Sequence, residues 1–346
     1  MRRFLALILL LPLLIIPVSG TEIEPPEVPE SGEIYMPEDT ESFGEAVWQI
    51  MITATEHLWS EIKIASSTSF SILAILLLVS FLSTVSTQAG SAVHLAGVLL
   101  IGLLLLSPAQ SLITLGLNTV RELTDYGKLL LPVLTTALAA QGGIQSSVTI
   151  YVGTTLFSSV LSTIIHAVIT PLLHIFLCIC LLKSIIDEDI ISKISKFIKW
   201  LITWSLKISL YVFLGYISIS GVISGTADAS AVRAVKLTIS GMVPIVGGII
   251  SEASETILVS TGIVKNMAGV YGALAIIAVF IGPFLKIGVQ YMLLKITAAL
   301  SGVFDTKQEA NLLNDYSSAM GMLLAMTGTV SLFLLVGVIC AMKGMT

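Results

Sequence analysis

Six stretches of this 346-residue chain, at about 66–87, 95–113, 147–182, 206–223, 265–294 and 319–342, are apolar almost without interruption. As helices, runs of roughly 20 such residues reach across the hydrocarbon core of a bilayer. In lipid the backbone must satisfy its own hydrogen bonds, which leaves helices or closed barrels. The pattern therefore predicts an all-α, polytopic helical membrane protein with about six to eight transmembrane helices. Charged residues make up 11% of the chain, against about 25% in an ordinary soluble domain, which excludes a soluble globular class.

A second regularity organises the spans. Arg121 and Arg233, Pro132 and Pro244, Pro171 and Pro283, and Lys183 and Lys295 are each 112 residues apart. PLLHIFLCICLLK (171–183) aligns without a gap on PFLKIGVQYMLLK (283–295). An internal duplication of period 112 explains this, with candidate repeats at about 95–205 and 206–318 and a final span at 319–342. Chance likeness of two apolar helices is the competing explanation.

The N-terminus reads differently. Arg2 and Arg3 precede an apolar run to Val18 and the small pair Ser19–Gly20, the form of a signal peptide over 1–20. An uncleaved anchor is the alternative. From Thr21 to Ile62 there are eleven acidic residues, four prolines and no Lys or Arg. Residues 21–45 are expected to form an acidic, disordered external tether, since few apolar groups offset the entropy of ordering them. Residues 46–64, with Trp48 and Trp59, suit an amphipathic surface helix, or else a solvated linker helix. The transmembrane domain then occupies 65–346.

Lys193, Lys196 and Lys199 lie on one side of a helical stretch whose other side carries Ile190, Ile191, Ile194, Phe197, Ile198 and Leu201. By the positive-inside tendency this is a candidate cytoplasmic contact helix, which puts the mature N-terminus outside. The run 147–182 would be about 54 Å long as one helix, so a kink at Pro171 is expected. Leu129–Ala140 and Met242–Ile250 are too short to span. They centre on Pro132 and Pro244 and are read as two short Pro-broken segments. Matching interrupted segments in two halves point to a conduit or packing seam, here Pro132, Pro244, Gly247, Gly248, Glu252 and Glu255. Asp228, Arg233 and Lys236 are candidate boundary charges.

No catalytic constellation is visible. The four histidines have no cysteine or carboxylate at ligand spacing within one helix, and the three cysteines sit in apolar runs. No phosphate-binding loop is present, so any nucleotide-driven step needs another subunit. A non-enzymatic protein without cofactor or metal is expected, and the charge of −5 arises in the acidic segment and says nothing of nucleic acid.

The stretch GYISISGVISGTADASAVRAVKLTISGMVPIVGGIISEASET, with the later GPFLKIGVQYMLLK, resembles the stage III sporulation protein AE family of endospore-forming bacteria, and the resemblance runs from about Ser66 to the C-terminus. It implies a component of a secretion-like channel complex in the mother-cell membrane surrounding the forespore. Implied partners are other subunits of that complex, including a separate ATPase subunit and forespore-side proteins, besides the lipid bilayer. The alternative function is a self-sufficient secondary transporter for a small solute, using Glu252 and Glu255.

Overall fold

The computed structural model describes residues 25–37, 42–85, 90–140, 144–186, 188–219 and 267–344. Among these every regular element is helical: α1 (Glu30–Glu33), α2 (Phe43–Val85), α3 (Gly90–Ala140), α4 (Ile144–Ile164), a π-helical turn (Ile165–Ile169), α5 (Thr170–Ile185), α6 (Asp189–Ile219), α7 (Met267–Ser301), a 3-10 turn (Gly302–Phe304) and α8 (Lys307–Gly344). Among the described residues six helices, counting α4 to α5 as one line, are long and apolar enough to cross a membrane. The protein is an all-α, multi-pass membrane protein.

The last helix, α8, is the central post, packing against α3, α4, α5, α6 and α7. Pairwise contacts set the directions. His94 near the start of α3 meets Glu309 near the start of α8, and Gly127, further along α3, lies beneath Leu334. Lys199 and Phe213 of α6 meet Ser318 and Phe333 in the same order. Both α3 and α6 thus run parallel to α8. The line α4–α5 runs the other way, from Thr154 against Gly337 to Lys183 against Asp315. So does α7, from Gly269 against Met342 to Lys295 against Asn314. The two helical strings related by the 112-residue spacing therefore pass α8 with the same polarity.

Close approach to α8 depends on missing side chains. A Cβ at Gly337 would lie 2.6 Å from Thr154, and one at Gly127 would lie 2.4 Å from Leu334. Small residues at such crossings let backbones approach where lipid supplies no hydrophobic drive for helix association. Aromatic rings fill the gaps: Phe213 stacks on Phe333 at 4.4 Å and meets Phe157 edge-on at 5.7 Å.

The structure departs from the sequence reading at Pro132. Leu129–Ala140 is not a separate broken segment but the end of α3, a 51-residue helix with Pro108 and Pro132 inside it. An interior proline removes a backbone donor at a cost of about 3 kcal/mol. Here Thr135 and Thr136 donate to the carbonyls of Leu131 and Pro132 at 2.7 Å each, while Leu130, Leu131, Leu134 and Leu138 are buried. Those carbonyls are not the one four residues before Pro132 that loses its donor, so it is the burial of these leucines that holds the helix through the proline. At Pro171 the helical line does change, as the π-helical turn immediately before it. Thr170 closes that turn through its backbone N–H and its hydroxyl, both donated to the Ile165 carbonyl.

At the N-terminal side, α2 is one continuous helix whose first half buries Ala46, Ile50 and Ala54 against Leu274, Ala278 and Ile281 of α7. Trp48 and Trp59 point outward. Residues 25–37, inside the stretch whose composition predicts a free tether, lie against α7, with Gly32 buried and Ser31 bonded to Glu122 of α3. Burying Gly32 and part of Val28 and Met36 gives this short stretch the apolar contact its acidic composition does not advertise. Residues 1–20 lie outside the described residues.

Candidate functional site

The polar side chains of the bundle converge on the first three turns of α8. Glu309 is fully buried and accepts from Nδ1 of His94 at 3.0 Å (Oε1) and 3.3 Å (Oε2). Gly97, one turn after His94, makes this possible, because a Cβ there would lie 3.0 Å from Glu309 Oε1. Lys183 Nζ of α5 donates to Oδ2 of Asp315 at 2.7 Å. Lys295 Nζ of α7 donates to Oδ1 of Asn314 at 3.0 Å, and Lys199 Nζ of α6 donates to the Ser318 hydroxyl at 3.0 Å. Each of α3, α5, α6 and α7 thus sends one basic side chain to the start of α8.

An ionised group away from water is costly unless paired and hydrogen-bonded, and breaking such a pair strands the other charge. The Glu309 carboxylate is fully buried and finds its partner in the His94 imidazole, which keeps 23% side-chain exposure. Asp315 and Lys183 keep 19% and 25% side-chain exposure, so water shares their solvation. Around them Ser301, Thr306 and Ser317 are buried and donate to backbone carbonyls. Chemically the arrangement ties four helices to a fifth. Among the described residues no group of three His, Cys, Asp or Glu side chains could hold a metal ion.

A second tie joins α2 to α7. Lys286 Nζ donates to Glu61 Oε1 at 2.8 Å, and Tyr35 packs edge-on to His57 at 5.8 Å. Burial, then the neighbouring Glu61 carboxylate, raise the Tyr35 phenol above its ordinary value, while Lys286 acts in the opposite sense.

Of the residues the sequence singles out, Lys199 joins the α8 cluster. Lys193 and Lys196 sit exposed on the outside of α6, which runs as one helix from Asp189 to Ile219; Ile190, Ile194 and Phe197, read from the sequence as the opposite, apolar side, are exposed as well, because the bundle is met by Ser195, Ile198 and Ile202. Pro132 lies inside α3. Pro244, Gly247, Gly248, Glu252, Glu255, Asp228, Arg233 and Lys236 lie outside the described residues. Sequence reasoning passed over His94, Glu309, Asn314 and Asp315. The available signal was the pair of carboxylates just ahead of the apolar run 319–342, since ionisable groups beside a span need a partner. The partners themselves come from as far as 215 positions away.

Comparison with known proteins bears on these helices directly. Residues 35–344 match the family described as stage III sporulation protein AE. A stage III sporulation protein AE of Bacillus subtilis (strain 168) is 23% identical over 218 residues, covering 63% of this chain and 54% of that protein. The chain thus aligns with about half the length of that relative. No solved structure matches. The family match takes in α2 to α8 with the ties between them, and the chain belongs to the stage III sporulation protein AE family.

Proposed function

We propose that this protein is a non-enzymatic membrane component of a channel complex linking mother cell and forespore, required for late forespore development. The observation that carries the reading is the family match over 35–344, which embraces the whole described bundle. The protein sits in the mother-cell membrane around the forespore with its mature N-terminus external. Its partners are the other subunits of the complex, a separate ATPase subunit and forespore-side proteins. The α8 cluster ties together the bundle against which such partners assemble, and Pro244, Glu252 and Glu255 are kept as the candidate conduit or packing seam. The permease reading rests on those same glutamates.

A clean in-frame deletion in the native sporulating host tests this. Engulfment should complete, and late forespore gene expression and heat-resistant spore yield should collapse, with restoration by the wild-type chain. Normal spore yield in the deletion strain would refute the proposal.

A further inference from the structure

On α6, residues Ser195, Ile198, Ile202, Leu206, Leu210, Phe213 and Ile217 are buried against the bundle. A different stripe looks outward. Lys193, Lys196, Trp200, Trp204 and Lys207 recur at spacings of three, four, four and three, which keeps them on one side of a helix with 3.6 residues per turn. Phe197 borders the stripe and begins a stacked ladder, with Phe197 to Trp200 at 5.9 Å and Trp200 to Trp204 at 5.7 Å. All three rings are exposed, at 58%, 54% and 47%. Large apolar rings that stack on one another outside the core have no cover within this chain's described residues.

The charges beside them are held by no ion pair among the described residues, although Asp189 lies one turn before Lys193. Lys183 and Lys199 are engaged with Asp315 and Ser318. Among the described residues Lys193 and Lys196 take part in no ion pair, and the acids nearest in sequence are Glu188 and Asp189 at the start of the helix. Since α6 is itself long and apolar enough to cross a membrane, its outward face meets lipid. Indole rings favour the layer between headgroups and acyl chains, and lysine stems lie along apolar surface while their ammonium groups reach phosphate. Two ammonium groups about one helical turn apart, next to a pair of indoles, complement a negatively charged phosphodiester attached to an acyl glycerol.

We propose that Lys193, Lys196, Trp200 and Trp204 form a binding site for the headgroup of an anionic phospholipid. The lysines bracket the phosphate and the stacked indoles pack on the glycerol and upper acyl carbons. The site fixes the depth of α6 and, through Lys199 and Ser318, the depth of the start of α8. It does not depend on the channel reading.

The test uses the full-length chain carrying W48F and W59F, so that Trp200 and Trp204 are its only indoles. It is reconstituted into phosphatidylcholine vesicles containing increasing fractions of acyl-brominated phosphatidylglycerol, or of acyl-brominated phosphatidylcholine as the control, and indole quenching is followed. Phosphatidylglycerol should quench preferentially. K193Q and K196Q should each lower that preference by about fivefold, the factor equivalent to about 1 kcal/mol per basic residue near an anionic surface. K193R/K196R should retain it and guard against loss of fold. Equal quenching by both lipids, or a preference unchanged in K193Q/K196Q, overturns the proposal. So does absence of quenching by either lipid, which would mean that protein, such as an acidic partner or a second copy, covers the ladder.

Discussion

Lys183 and Lys295, 112 residues apart in the chain, donate to the side chains of Asp315 and Asn314, which are consecutive in α8. One lysine closes α5 and the other lies near the end of α7, and both helices run antiparallel to α8. Positions matched in sequence thus occupy matched places around one helix, with one acceptor charged and the other neutral. The pair at Lys183 is therefore the stronger electrostatic tie.

Asp315→Asn keeps the shape of that tie and removes its charge. With Lys183 about three-quarters and Asp315 about four-fifths buried, the loss should be about 2 kcal/mol, between the values for exposed and fully buried pairs. The readout is thermal unfolding of the detergent-purified protein. K183M/D315M should recover part of the loss, because no charge is left stranded. A double variant no more stable than D315N would assign the loss to packing.

His94→Ala leaves the Glu309 carboxylate buried without the imidazole it accepts from, and should cost about 3 kcal/mol or more. Glu309→Gln, which can still accept from His94, should cost less. The same unfolding measurement ranks the two, and the reverse order would mean that the imidazole serves only as filler.

Gly32→Ala tests the docking of residues 25–37. A Cβ there would lie 2.7 Å from the Val279 side chain and 2.9 Å from the Val279 backbone nitrogen, and backbone within α7 cannot swing aside as a side-chain tip can. The overpacking should cost about 1–3 kcal/mol, which this short segment avoids by detaching. Limited proteolysis should then cut between residues 25 and 37 in the variant faster than in the wild type, with the helices intact.

The same contact should respond to alkaline pH. Burial first, and Glu61 second, raise the Tyr35 phenol above its ordinary value, near 10 in a model peptide. Folding thus favours the neutral phenol. Its contribution is full below pH 10 and is lost as pH climbs through the raised value. Proteolytic protection of 25–37 should fall in that window in the wild type. Tyr35→Phe should lack this component, so identical profiles would remove Tyr35 from the response.

Much of the architecture was legible from hydropathy, because a bilayer-length apolar run in a membrane chain has few alternatives to a helix. The six spans correspond to the six membrane-length helices. Their ends were not legible. Hydropathy marks which residues suit lipid, whereas α2 and α3 continue well beyond their apolar runs because tertiary packing carries them, as Ala46 and Ile50 do on α7. Pro132 misled for a related reason: the burial of Leu130, Leu131, Leu134 and Leu138 holds the helix through the proline, and that packing exists only in the assembled bundle. The α8 cluster was legible only in halves. Lys183 and Lys295 stood out through their spacing and Lys199 through its helical face, but Glu309 and His94 belong to segments that local pattern cannot bring together. Helical phase alone showed Lys193 and Lys196 to share a face, while the exposure of the aromatic ladder beside them needed the fold.

The π-helical turn at Ile165–Ile169 separates two contact programmes along one helical line. Ahead of it Thr154 and Ser158 are buried on α4, and beyond it Phe176, Cys180 and Lys183 face the bundle on α5. A wider turn holds one residue more than the α-helical turn it replaces, so this segment sweeps about the same angle as an α-helical stretch one residue shorter. Deleting one residue within it would close the turn to an α-helical one and leave both Thr154 opposite Gly337 and Lys183 at Asp315. The same deletion in the regular helix beyond it would swing Lys183 by about 100°, so this turn is the one place where the helical line can lose a residue without re-aiming its lysine end.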